Sequence, residues 1–500
     1  MKNHLPLLLS ATVVGFLALG LGLSAAGTKH PNIILLMGDD HGWEETGYNG
    51  HPFVKTPTLD AMANEGLRFD RFYAAHPSCS PTRGSVLTGR HPVRYGTFAP
   101  NWSMRPEEIT IAGLLSKAGY RCGHFGKWHV GPVKATSPTN PGAMGFHQWL
   151  SHDNFFELDP QFSRNGRQPE SFQGESSEIL VHQAGKFIDS ATQAHQPFFV
   201  VIWFGSPHEP YSGLPNDLAL YDGLPAALGH KTVSLTSNAT GRKTTRSLRA
   251  VLRERYAEIT AMDRAIGMLR NKLDQQNLRK DTLLWYCGDN GTPPSGQAVT
   301  PLRGQKGQIY EGGIRVPGII EWPAGIPQPK ATAINAVTSD MLPTLCAITQ
   351  QPIPRRALDG IDISPLFEGR LEQRPRPICF WSYDTSREAS LGLKPYIHPA
   401  LQEGTTPLVK LMKGKPTRTF QNLIHPTITD DDFGGSRAIM GNRFKLIVPK
   451  KGGKELYDLR ADPAERYNLA ASQTDIVESM SEELHRWQQS VLSSLTGADY

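Results

Sequence analysis

Cysteine is scarce in this chain of 500 residues, with only five, at positions 79, 122, 287, 346 and 379. So few exclude a small scaffold held together by a disulfide framework. Cys122 and Cys287 fall in strand-like runs, where buried free thiols are expected. Setting Cys79 aside leaves four, which permits pairing without requiring it. An excess of one charge is also missing. Lys and Arg number 52 against 47 Asp and Glu, a formal net charge of +5, and the basic residues are scattered. That argues against a nucleic-acid stripe, so no nucleic-acid partner is expected. Repeats and low-complexity tracts are absent. Long hydrophobic runs are absent too, save one from Leu7 to Leu23, preceded by Lys2 and His4 and followed by Ser24-Ala25-Ala26. Small residues at 24 and 26 predict a signal peptide over 1–26, cleaved after Ala26, and export to the periplasm or the exterior. An uncleaved N-terminal anchor is the alternative, because the run approaches bilayer length. Gly15, Gly20 and Gly22 weaken it as a permanent helix. No later segment is apolar enough to span a bilayer, so no stable membrane insertion is expected after cleavage.

What is present is the composition of an ordinary globule, long enough for one large α/β domain and a smaller companion. Four short segments read as buried strands, each running into a polar cluster: Asn32–Met37 before Asp39-Asp40, Tyr120–Phe125 before Lys127-Trp128-His129, Phe198–Phe204 before Ser206-Pro207-His208, and Thr282–Cys287 before Asp289-Asn290-Gly291. Apolar runs without alternation fit strands covered on both faces of a parallel sheet. Ligands bind such sheets beyond the carboxyl ends of the strands, so the four clusters are expected to meet. Helices are predicted over Thr58–Gly66 and Ile109–Gly119, each ending in glycine. Another is read from the stripe Leu252, Tyr256, Ile259, Ile266, Leu269 and Leu273. Beyond about residue 370 the texture changes to short antiparallel strands at Arg437–Met440, Phe444–Val448 and Glu455–Tyr457. An amphipathic helix follows through Ile476, Met480, Leu484, Trp487 and Val491, with Thr474 as its N-cap. The expected organisation is thus an α/β domain over 27–370, with a large, mixed, mostly parallel sheet sandwiched by helices. An α+β subdomain with an antiparallel sheet would fill 371–500. The stretch Glu388–Phe433 shows no readable pattern.

The chemistry concentrates around Cys79-Ser80-Pro81-Thr82-Arg83. Pro81 suits the first helical position, which would leave Cys79 just ahead of a helix N-terminus, where free amides and the helix dipole favour an anion. Arg83 adds a positive charge. Asp39, Asp40 and Asp289 would repel one another in a shared pocket unless a cation sat among them. With the amide of Asn290 they form an oxygen-only set suited to Ca²⁺ or Mg²⁺. Each pair alone is equally at home in a turn. Lys127, His129, His208 and Lys306 supply cations and proton carriers. Singly, each has a bland explanation; converging, they make a site for a tetrahedral oxyanion.

Cys79-x-Pro81-x-Arg83 followed by Leu87-Thr88-Gly89-Arg90 resembles the defining motif of the type I sulfatases, in the alkaline-phosphatase-like superfamily. The likeness extends through Gly126-Lys127-Trp128-His129, Ser206-Pro207-His208, Pro301-Leu302-Arg303-Gly304-x-Lys306, Tyr310-Glu311-Gly312-Gly313 and Glu455-Leu456-Tyr457-Asp458-Leu459. It runs over roughly residues 31 to 470, and Arg90–Gly96 is similar to the arylsulfatase and N-acetylgalactosamine-6-sulfatase branch. The resemblance implies that a separate maturation enzyme oxidises Cys79 to formylglycine. It further implies that Asp39, Asp40, Asp289, Asn290 and residue 79 bind one calcium ion. A hydroxyl of the hydrated aldehyde would attack sulfur, with Asp289 accepting its proton. His208 would protonate the leaving alcohol, Lys127 and Lys306 would hold sulfate, Arg83 would orient residue 79, and His129 would drive release of sulfate. The substrate implied is a sulfated glycan or an aryl sulfate, and His152, Asp153, Asn154 and the 210–223 loop are candidates for a sugar pocket. Where the family often carries an aspartate a few residues after its first metal pair, this chain has Glu44-Glu45. A phosphatase or phosphonate monoester hydrolase of the superfamily, and a non-catalytic glycan-binding protein, are the rival readings. The first would bring extra histidines at strand ends; the second would be expected to have lost Cys79 or a cation.

Overall fold

The computed structural model describes residues 1, 30–237, 240–297, 299–388, 391–409 and 416–500. The apolar run Leu7–Leu23 and the cleavage site after Ala26 lie outside the described residues. Residues Pro31–Tyr500 form one compact unit. Among the described residues no helix is long and apolar enough to cross a membrane.

The main sheet has ten strands. In chain order they are β1 (Asn32–Gly38), β2 (Leu67–Phe69), β3 (Arg121–Lys127), β4 (Gln148–His152), β5 (Gln161–Arg164), β6 (Pro169–Ser171), β7 (Phe198–Trp203), β8 (Thr282–Gly288), β9 (Gly318–Glu321) and β10 (Lys330–Thr332). Across the sheet they lie in the order β10-β2-β9-β8-β1-β7-β3-β4-β5-β6. The run from β8 to β4 is parallel throughout, and antiparallel pairings begin at β9 on one side and at β5 on the other. The missing alternation in β1 has a direct cause. Ile33, Leu35 and Met37 enter one buried cluster, with Val86, Leu87, Ile111 and Leu115, while Ile34 and Leu36 enter another, with Leu59, Met62, Leu180 and Ile266. Both faces are therefore dry. The helices that cover them are α1 (Pro57–Glu65), α2 (Cys79–Thr88), α3 (Ile111–Lys117), α4 (Ser176–Gln193) and α5 (Leu248–Gln275). All six apolar residues predicted to line α5 are buried. Each fully buried large apolar side chain contributes on the order of 2 kcal/mol, so this double-sided core anchors the strand ends that carry the site.

The second sheet is antiparallel, with strands β11 (Ile378–Ser382), β12 (Ser436–Met440), β13 (Phe444–Val448) and β14 (Glu455–Asp458). One face packs through Ala438, Met440 and Ile447 against Tyr73, Ile314 and Val337. The other packs through Ile439, Leu446 and Leu456 against Leu484 of α6 (Thr474–Leu495).

Three sequence expectations need adjustment. Cys79 is not ahead of its helix: α2 begins at Cys79 with Ser78 as N-cap, and Pro81 is the third helical residue. The first four amides of a helix have no intrahelical acceptor, so proline is tolerated anywhere in that turn, not only at its first position. Thr474 is the first residue of α6 rather than its cap, which is Gln473. Strand β3 extends through Gly126 and Lys127. His124, which interrupts its apolar run, is buried there with Nδ1 hydrogen-bonded to Ser151 Oγ at 2.7 Å.

Candidate active site

Because Gly38 is paired in register with Gly288, and Trp203 with Met37 and Gly126, the carboxyl ends of β1, β3, β7 and β8 are level. The residues that follow therefore meet. Asp39, Asp289, Asn290, Arg83 and Lys127 are all 0% exposed. Charges so placed must be paired or the fold would not tolerate them, and they are. Lys127 Nζ lies 2.5 Å from Asp39 Oδ2, and Arg83 Nη2 donates to Asp289 Oδ2 at 2.7 Å. Lys306 Nζ lies 2.6 Å from Asp40 Oδ1. Arg83 Nη1 also donates to the carbonyl of Lys127 at 3.1 Å, tying α2 to the end of β3.

Cys79, at the start of α2, directs its Sγ toward Asp40 Oδ1 at 3.8 Å. Burial, and next the charge of Asp289, push this thiol well above its ordinary value, so as a thiol it is a poor nucleophile. Asp39, Asp40, Cys79 and His208 each bring a potential ligand atom within 4.8 Å of the others. Asn290 Nδ2 donates to Asp40 Oδ1 at 2.9 Å, while Asn290 Oδ1 is buried and accepts nothing. Asp39 Oδ1 is also buried without a hydrogen bond, its nearest cation being Arg83 Nη2 at 3.5 Å. Asp289 stands one step back: its Oδ1 accepts from Asp40 N at 2.8 Å and its Oδ2 is held by Arg83. Burial raises Asp39 despite Lys127 beside it. Burial also acts to raise Asp40, but Lys306, His208 and Lys127 together outweigh it and hold the carboxyl below its usual range. The oxygens that Asp39, Asp40 and Asn290 offer, two of them buried without a hydrogen bond, fit a hard divalent ion.

His208 follows β7 and lies on the more open side, as does Lys306, their side chains being 12% and 22% exposed. His208 Nδ1 bonds the Glu209 carbonyl and Nε2 is 3.7 Å from Asp40 Oδ2. Burial brings its pKa down to about 3. His129, one of two site residues with positive φ (59° there, 64° at Asp40), is likewise lowered, by burial and then by Lys127. Burial thus disfavours the protonated form of both imidazoles. His129 Nε2 lies 3.4 Å from Asn101 Oδ1, and its Nδ1 has no partner.

Sequence reasoning missed the residues that hold this constellation. Arg255 of α5 is fully buried. It donates to the Asp40 carbonyl at 2.6 Å and the Pro207 carbonyl at 2.5 Å, and pairs with Glu45. Glu45, second of the pair standing where the family often has an aspartate, therefore serves beneath the site. Of the sugar-pocket candidates, His152 Nε2 bonds the Pro407 carbonyl, and Asp153 accepts from the amides of Val133, Thr405 and Thr406. Both brace loops. Asn154 is buried with neither amide atom partnered. In the 210–223 loop, Tyr211 bonds Ser295, Ser212 N donates to Glu258, and Asp217 pairs with Arg264.

The Sulfatase family profile matches residues 31–350. Human arylsulfatase A is 30% identical over 495 residues, covering 91% of this chain and 85% of that protein. Pig N-acetylgalactosamine-6-sulfatase is 32% identical over 429 residues, covering 78% and 74%. Among solved structures, Ps i-CgsB in complex with k-i-k-neocarrahexaose is similar with a TM-score of 0.72 and 22% identity, over 92% of this chain and 93% of that one. At that identity the likeness speaks for the fold. The profile's span contains every convergent residue from Asp39 to Lys306, and the chain belongs to the sulfatase family, as a sulfuric ester hydrolase.

Proposed function

We propose that this protein removes sulfate from a sulfated carbohydrate or an aryl sulfate, using a formylglycine formed from Cys79 and one calcium ion. The observation that carries the reading is the gathering, in one pocket, of Cys79 with Asp40 and with buried oxygens of Asp39 and Asn290 that accept no hydrogen bond. Such oxygens are costly unless a cation takes their lone pairs. Asp39, Asp40, Asn290 and residue 79, backed by Asp289, would hold the ion, which when bound offsets the gathered negative charge and polarises a sulfate oxygen. The hydrated aldehyde would supply a hydroxyl nucleophile and a route back to the carbonyl, which neither serine nor a thiol offers.

The chain's other residues divide the remaining work. Lys127 and Lys306 face the pocket from β3 and the 301–306 loop and would hold sulfate oxygens. Arg83 fixes the first turn of α2, and residue 79 with it, by its bonds to Asp289 and to the Lys127 carbonyl. An incoming sulfate would raise the proton affinity of His208, whose Nε2 faces the pocket, so that it can protonate the leaving oxygen. His129 would take a proton from residue 79 as sulfate departs. Export, the role of a separate maturation enzyme, and the division at residue 370 belong to the same reading.

Peptide mass spectrometry on protein co-produced with a maturation enzyme tests it. The peptide carrying residue 79 is expected about 18 Da light and reactive toward a hydrazide, as an aldehyde is. A full-mass thiol despite competent maturation would end the proposed mechanism.

A further inference from the structure

The cations nearest the pocket centre are already matched to carboxylates: Lys127 to Asp39, Lys306 to Asp40 and Arg83 to Asp289. Among the described residues, one cation near the same space is not. Arg418 comes from the stretch after residue 388 that carried no sequence signal. It is positioned by a two-stranded arm in which Gly404 N donates to the Arg418 carbonyl at 2.7 Å, Phe420 N donates to the Gln402 carbonyl at 2.8 Å, and Glu403 bridges Thr419. The arm is fastened to the strand ends by Asp153, which accepts from Thr405 and Thr406, and by His152 on the Pro407 carbonyl. Phe420, two residues on, meets the ring of His129 edge-on at 6.3 Å.

One ring contact places the guanidinium, and its charge reaches the pocket. It lies over the ring of Phe155 at 5.8 Å, and Phe155 stacks on His208 at 5.0 Å with only 12° between ring planes. Its charge is felt by both Cys79 and His129. Among the described residues no carboxylate pairs with it, and its Nε is buried without a hydrogen bond. Burial lowers its pKa, as expected for a cation taken from water without an acid beside it. A partly buried guanidinium bearing no counter-charge is an open partner for an oxyanion that presents two oxygens to its fork of donors.

We infer that Arg418 is a specificity-determining residue that binds a second oxyanion of the substrate, a further sulfate or a uronate carboxylate, away from the ester being hydrolysed. This rests on the sulfatase reading and narrows its substrate to a saccharide with at least two anionic groups. Removing Arg418 takes away binding common to ground and transition states, so the loss belongs in KM rather than in kcat.

The test is calorimetric binding to the Cys79→Ala protein with Arg418 intact and with R418Q. The ligands are a hexosamine 6-sulfate, the matching 4,6-disulfate, and a monosulfated disaccharide containing a uronate. The intact protein is expected to bind one of the doubly charged ligands about tenfold or more tightly than the monosulfate, as a charge-assisted contact provides. Whichever ligand that is identifies the second anion. With R418Q the preference collapses toward unity, and Arg418→Lys restores only part of it. Equal affinities in the intact protein, or a preference that survives R418Q, overturn the proposal. The assay needs no turnover. Aryl sulfate hydrolysis by the matured, unsubstituted protein reports on the sulfatase reading separately.

Discussion

Asp40 shows how much the site asks of one residue. Its backbone sits at φ 64°, a conformation that costs a non-glycine residue about 1–3 kcal/mol. Arg255 on its carbonyl and Asp289 on its amide hold it there. Its carboxylate meets Lys306, Asn290 and Cys79 at once. Asn290 complements it, giving one amide hydrogen to Asp40 while its own oxygen stays free. If that oxygen is a calcium ligand, ion binding and stability are linked. At a free calcium concentration 100 times Kd the unsubstituted protein gains about 2.7 kcal/mol. At the same concentration the Asn290→Ala variant is expected to gain less than half as much in urea unfolding. An equal gain in the two proteins would remove Asn290 from the metal site.

At the scale of elements, the end of β3 decides where Lys127 points. Gly126 has φ +102°, and a Cβ there would lie 2.0 Å from the carbonyl oxygen of Trp203 on β7. Gly119 also has positive φ, +88°, but nothing lies within 4 Å of its would-be Cβ. Alanine at 119 is expected to cost about 1 kcal/mol, the backbone penalty alone. Gly126→Ala should cost more than about 3 kcal/mol, or prevent folding, because the strands must separate. Equal losses in urea unfolding would mean that conformation, not the close approach of β3 and β7, fixes the glycine. The four strand ends were legible in the sequence because buried parallel strands leave unbroken apolar runs that stop abruptly at polar clusters. Arg255 was not. Helical periodicity separates the apolar stripe of α5 from the remainder, and the remainder reads as solvated; yet the turn carrying Arg255 lies beneath Asp40 and Pro207 and is fully covered. Arg418 was missed for another reason. Its segment is made of short 3₁₀ turns and isolated bridges, which have no period to detect. Strand β11 was overlooked although Ile378–Ser382 pairs along its whole length with β12.

At the scale of the whole molecule, one carboxylate joins parts of the chain far apart in sequence. Asp359 accepts from Arg94 Nε at 2.7 Å and Nη2 at 2.8 Å, and from Trp487 Nε1 of α6 at 2.8 Å. The same side chain accepts from the amide of His91. These contacts border a cavity of about 410 Å³ that also meets Ile378 and Cys379 of β11. Burial acts to raise Asp359, but Arg94 and His91 together, through charge and hydrogen bonds, outweigh it and hold the carboxyl below its ordinary value of 3.8. The sign of the linkage follows. A depressed folded pKa means that the unfolded chain takes up the proton first as pH falls, so the stability Asp359 contributes is complete above its unfolded value and drains away below it. Substituting Asp359→Asn removes a charge from a buried pair and leaves Arg94 without its acid, a change that costs about 3–5 kcal/mol at neutral pH. The stability gap between the two proteins should stay constant from neutrality down to about pH 4 and narrow steadily on further acidification. Urea unfolding followed by tryptophan fluorescence, in which Trp487 reports on α6, measures that gap at each pH. If the gap holds its neutral size well below pH 4, Asp359 is not the ionised link between α6 and the α/β core, and the packing of Leu484 and Trp487 must secure the helix instead.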